Sequence, residues 1–145
     1  EGNDRAQIMA VANGEADIAI ANSYYIGLML SGKKGEEQQA AANKVMLHFP
    51  GQSGRGAHIN VSGAGVLKNS PNPDNAVKFI EFLLSPEAQE HIVNNTYEYP
   101  MHSEVEPSEL IAQFGTGFKE DQTSVANYGK FNPDAVKLMD RAGWQ

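Results

Sequence analysis

The 145 residues carry 11 Lys and Arg against 18 Asp and Glu, a net charge of −7 on a 41% apolar composition, which is the balance of an acidic, soluble globular chain. Such a surface repels phosphate backbones and anionic lipid, so nucleic-acid binding is excluded. The longest mainly apolar stretch, residues 18–30, is broken by Asn22, Ser23 and two tyrosines, too short and too polar to cross a bilayer. Without cysteine, thiol catalysis, disulfides and cysteine-ligated metal sites are excluded, and any metal must be held by oxygen or nitrogen.

The length suits one domain, or half of a two-domain protein. A first residue other than Met that runs straight into a helical pattern is expected of a chain cut from something longer. Asp4 is positioned to cap a helix with Ile8, Val11 and Ala12 on one face, stopped by Asn13-Gly14. Asp17 to Ala21 follows, small and β-branched with few polar residues, and reads as a buried strand of a parallel sheet. Asn22-Ser23 caps a second helix, Tyr24 to Leu30, ending at Ser31-Gly32, and the Ala- and Gln-rich residues Glu36 to Ala42 read as a solvated helix.

Val45 to Phe49, Ala57 to Val61 and Gly63 to Leu67 read as further strands, the first two flanking a glycine-rich loop. Asn72-Pro73-Asp74 opens a helix with Val77, Ile80, Phe82, Leu83 and Leu84 on its apolar face, and Ser85-Pro86-Glu87 opens the next. Asn132-Pro133-Asp134 caps a final helix carrying Val136, Leu138 and Met139, closed by Gly143. Helices alternating with buried strands predict an α/β fold.

Tyr24 and Tyr25 stand at the carboxyl end of the first predicted strand and in the first turn of the next helix, the edge of an α/β sheet where ligands bind. A phenolate is a hard anionic oxygen donor matched to a hard cation such as Fe³⁺, and a helix N-terminus favours negative charge. The plainer alternative has one tyrosine packed in the core and the other facing water. The four histidines, at 48, 58, 91 and 102, form no i, i+4 pair and read as structural or surface groups. Gly51 to Gly56 lacks the Gly-Lys-Ser/Thr ending of a phosphate loop and precedes a strand, and no Gly-x-Ser-x-Gly elbow accompanies Ser53 or Ser62.

The segment Asn13-Gly14-Glu15-Ala16-Asp17-Ile18-Ala19-Ile20-Ala21-Asn22-Ser23-Tyr24-Tyr25 resembles the tyrosine-pair segment of periplasmic ferric-iron-binding proteins, the solute receptors of iron ABC transporters. The resemblance continues in order through His48-Phe49-Pro50, Gly54-Arg55-Gly56, Asn60 to Val66, Asn75 to Leu84, Ser85 to Gln89 and Tyr97-Glu98-Tyr99-Pro100. It implies a type II periplasmic-binding-protein-like fold, two lobes joined by hinge strands and incomplete in this chain: residues 1–59 in part of the C-terminal lobe, 60–110 in part of the N-terminal lobe, and 111–145 back in the C-terminal lobe.

It implies no enzymatic activity, a periplasmic or lipid-anchored location, Fe³⁺ bound by Tyr24 and Tyr25, and delivery to an inner-membrane ABC permease. Asn22, two residues before the pair, matches a position that helps hold a synergistic anion in some members; the remaining family ligands lie upstream of Glu1, while Tyr97 and Tyr99 fall in a structural segment. A chain with pieces of both lobes exposes surface meant to be covered, so self-association is expected. The alternatives are a type II receptor for another anion or small organic solute, and an α/β enzyme with a tyrosine general acid, for which no base partner is evident.

Overall fold

The computed structural model describes residues 2–144, which fold as helices and connecting segments in two compact units. The first unit is the chain up to His48 together with Asn60–Gly117; the second is Phe49–Ile59 together with the chain from Phe118. The helices are α1 (Asp4–Ala12), α2 (Ser23–Leu30), α3 (Glu36–Ala42), α4 (Pro73–Leu83), α5 (Pro86–Thr96), α6 (Glu109–Ala112) and α7 (Ala126–Ala142).

In the first unit α1, α2, α3 and α6 pack around Ile8, Ile26, Met29, Ala41, Ala42, Tyr97 and Ile111, with Met29 and Ile111 fully enclosed. Gly27 lets the elements close: a Cβ there would stand 2.6 Å from Tyr97 Cβ and 2.8 Å from Ile111 Cδ1. The starts and stops follow local chemistry. Ser85 accepts the Ala88 amide at 3.3 Å ahead of Pro86, and Gly14 and Gly32 turn the chain after α1 and α2 with positive φ.

Several expectations are corrected. Asp4 is not the cap of α1; Asn3 is, accepting the Ala6 amide at 3.2 Å, which leaves the Asp4 carboxylate for another partner. The α3 helix is not wholly solvated, because Ala41 and Ala42 are small enough to be buried against its neighbours. Among the described residues the expected strands 17–21, 45–49, 57–61 and 63–67 form no ladder; the only pairing is an isolated parallel bridge between Ala57 and Glu120. The reason is that a buried strand exists only beside hydrogen-bonded neighbours. Ile18 and Ile20 are instead 84% and 79% exposed.

In the second unit Phe49 stacks on Phe118 with ring centroids 3.8 Å apart. The glycine-rich loop folds on itself through Gly54 and Gly56 amides to the Gly51 carbonyl, both 2.9 Å. Gly56, at φ +103°, lies where a Cβ would meet the Glu120 backbone at 2.6 Å, and Arg55 pairs with Asp121. The glycines thus serve close backbone approach. The last helix starts earlier than the expected cap at Asn132, taking Pro133 into its interior. That forfeits one backbone hydrogen bond, while Tyr128 anchors the added turns by donating to the Ile59 carbonyl at 3.1 Å. Gly143 closes the helix at φ +68° as expected.

Candidate functional site

The first turn of α2 sets the geometry of the tyrosine pair. Tyr25 donates its amide to the Asn22 carbonyl at 3.2 Å, and the two rings lie with centroids 4.4 Å apart at 36°. Both side chains are half-buried and both pack against the core of the first unit, so neither the core nor the water position of the plainer alternative describes them. The Tyr24 phenol is pushed up to about 12, first by its hydrogen bond with Tyr25, then by burial, and further by the charges of Tyr25, Asp4 and Glu98. Free of a cation, Tyr24 is therefore a neutral phenol at physiological pH. A bound cation must displace that proton, and in return gains an anionic oxygen beside a second phenolic one.

Asn22 precedes the pair as the N-cap residue of α2 but makes no side-chain cap bond. Its backbone amide and its Nδ2 both donate to Asp4 Oδ1, at 2.8 and 3.1 Å, and its Oδ1 accepts from Asn60 Nδ2 at 2.9 Å. Glu98 is held by Ser62, whose hydroxyl donates to Glu98 Oε2 at 3.0 Å. Sequence reasoning singled out Tyr24, Tyr25 and Asn22 but missed the partnership of Asp4 and Asn60. Their separations of 18 and 38 residues from Asn22 left no local signal, and Asp4 had a competing local explanation as a cap.

The other aromatic and histidine candidates sit elsewhere. Tyr97 is buried in the core, in the left-handed conformation that ends α5 at φ +64°. Tyr99 donates to the Gly115 carbonyl at 2.8 Å, and burial pushes its phenol up to about 12. His102 Nδ1 accepts the Glu104 amide, and the His58 ring lies 5.3 Å from that of Tyr128. Among the described residues no three His, Cys, Asp or Glu side chains gather closely enough to hold a metal ion. Phenolic oxygens are hard donors of the kind a hard cation takes, and the adjacent phenols place two of them on one helical turn.

The sequence pattern of bacterial extracellular solute-binding proteins matches residues 1–90. The chain belongs to that family. Iron uptake protein A1 of Synechocystis sp. is 48% identical to it over 145 residues, covering 100% of this chain and 40% of that protein. The major ferric iron-binding protein of Neisseria meningitidis is 39% identical over 139 residues, 94% of this chain and 39% of that protein.

Among solved structures, Trichodesmium IdiA (FutA) in complex with iron and citrate ligands matches at TM-score 0.94 and 52% identity, covering 100% of this chain and 45% of that one. The ferric binding protein of Campylobacter jejuni matches at 0.92 and 42%, with the same coverage. This solute-binding protein chain therefore has part of the fold of type II periplasmic binding proteins and spans less than half the length of these relatives. Among its described residues no helix is long and apolar enough to cross a membrane.

Proposed function

We propose that this chain is part of a periplasmic or lipid-anchored ferric-iron receptor that passes Fe³⁺ to an inner-membrane ABC permease, with the phenolate oxygens of Tyr24 and Tyr25 as iron ligands. The observation that carries the reading is the side-by-side placement of the two phenols on the first turn of α2, where the helix dipole favours negative charge. The relatives named for ferric iron and iron uptake support it. Two phenolates fill two positions of an octahedral Fe³⁺ and leave four for donors outside the pair, a synergistic anion among them. Asn22 serves as the residue beneath the pair, its side chain engaged at both ends.

In this reading the division into 1–59 with 111–145 for the C-terminal lobe and 60–110 for the N-terminal lobe is that of the whole receptor; in this chain 1–48 and 60–117 pack together as one unit. Iron that takes ligands from both lobes binds the closed form better and shifts the population toward it, and the permease reads that shape. The protein binds and releases its cargo unchanged, without turnover. Exposed Ile18, Ile20, Met46 and Leu67 on the first unit favour association of this chain with another apolar surface, a second copy included.

The test is a visible-absorbance titration with a chelated ferric salt, on this chain and on a longer form of the protein, each beside its Tyr24→Phe/Tyr25→Phe double variant. Phenolate-to-iron charge transfer colours the complex. A band in the wild type that is lost in the double variant is the expected result; no band in either wild-type form would redirect the search to other anions and small solutes.

A further inference from the structure

We propose that Asp4 is a positioning residue for the tyrosine pair, acting through Asn22, with Asn60 holding the same side chain from its other end. Every polar group of Asn22 is engaged: the amide and Nδ2 on Asp4 Oδ1, the Oδ1 by Asn60 Nδ2, and the carbonyl by the Tyr25 amide. An asparagine at an N-cap ordinarily spends its side-chain oxygen on an amide of the helix it starts. Here that oxygen is spent on a residue 38 positions away, and α2 begins without a side-chain cap.

The consequence is mechanical. The two donations into one carboxylate oxygen are charge-assisted and so stronger than neutral ones. They fix the backbone of Asn22 to the first turn of α1, and the Tyr25 amide then hangs on the carbonyl of that fixed residue. Tyr24 and Tyr25 project from a turn whose origin is held by α1 on one side and by Asn60 on the other. Asp4 is free for this because Asn3 caps α1. A small rotation about Asn22 would swing both phenol oxygens, which lie at the far end of long rigid side chains, and spoil their convergence on one cation.

The part of this inference that concerns iron rests on the ferric-iron reading above; the part that concerns ring placement does not, and the experiment separates them. The variants are Asp4→Ala, which removes both acceptor bonds, Asp4→Asn, whose Oδ1 can still accept both, and Asn60→Ala, an exposed change. In the iron-free chain, the Tyr24 and Tyr25 ring resonances are expected to shift in Asp4→Ala and Asn60→Ala and to return toward wild type in Asp4→Asn. With iron, chelator competition is expected to show affinity lowered about 10- to 100-fold in Asp4→Ala, the range typical of groups that orient a metal ligand, with a displaced charge-transfer band. Asp4→Asn should recover most of both.

Unmoved rings in Asp4→Ala and Asn60→Ala would overturn the proposal whatever iron does. So would Asp4→Asn behaving as Asp4→Ala, since charge and not the clamp would then be the agent. Moved rings together with a wild type that takes up no iron would sink the ferric reading while leaving the clamp standing. Should Asp4→Ala fail to fold, Asp4→Ser, whose shorter side chain withdraws the acceptor oxygen from Asn22, decides the same question by the same ring shifts.

Discussion

The helices around Met29 and the helix α7 both carry large apolar side chains, yet these end in opposite states. In the first unit α1, α2, α3 and α6 enclose Met29 and Ile111 completely, whereas α7 has no buried residue, with Leu138 63% and Phe131 52% exposed. The contrast is one of neighbours as well as of hydrophobicity, since α2 is apolar nearly all round and α7 is polar on average. An apolar stripe stabilises a fold only when another surface removes it from water, and α2 finds three helices and Tyr97 where α7 finds none in its own unit. The tyrosine pair is mounted on the enclosed region, which is where a rigid site has to be built.

The sharpest way to break the comparison is to truncate one apolar side chain in each region. Met29→Ala is expected to cost about 2–5 kcal/mol through lost burial and an unfilled cavity, and Leu138→Ala to stay within about 0.5 kcal/mol, as exposed changes do. Denaturant unfolding of both variants measures it, and equal losses would mean that α7 is covered in solution. Gly27→Ala should come next, at about 1–3 kcal/mol, because the added methyl must push Tyr97 and Ile111 aside; wild-type stability in that variant would mean the packing there is loose.

A gentler probe is alkaline pH. Tyr99 is raised from 10.0 to about 12 by burial, and its hydroxyl donates to Gly115, a bond only the neutral form can give. Below about pH 10 the folded and unfolded chains both hold this proton. Between there and about 12 the unfolded chain releases it first, so stability should fall as pH rises through that window. Tyr99→Phe should flatten the fall, and an unaltered pH profile in that variant would assign the effect to other groups such as Tyr24, which is raised in the same direction.

Local chemistry was legible and long-range pairing was not. The stops at Gly14, Gly32 and Gly143 and the starts at Pro73 and at Ser85-Pro86 were read from the sequence and appear in the structure. They could be read because a cap or a turn is decided by residues within a few positions of it. The strand expected at 17–21 has the right composition and no ladder, since a strand depends on neighbours that no local pattern specifies. The early start of α7 was hidden for a related reason: Asn132-Pro133-Asp134 has the form of a cap, but the Tyr128 hydroxyl is held by a carbonyl 69 residues away.

At the site the same division holds. Sequence alone determined that two phenols stand next to each other at the start of a helix, because adjacency is a covalent fact and the helix start is marked by nearby residues. Tertiary structure decided that both rings are half-buried and that Asn22 spends its side chain on Asp4 and Asn60 instead of on its own helix. A hydrogen bond between residues 18 or 38 positions apart exists only once packing has brought them within 3 Å of each other, and that proximity is a property of the fold.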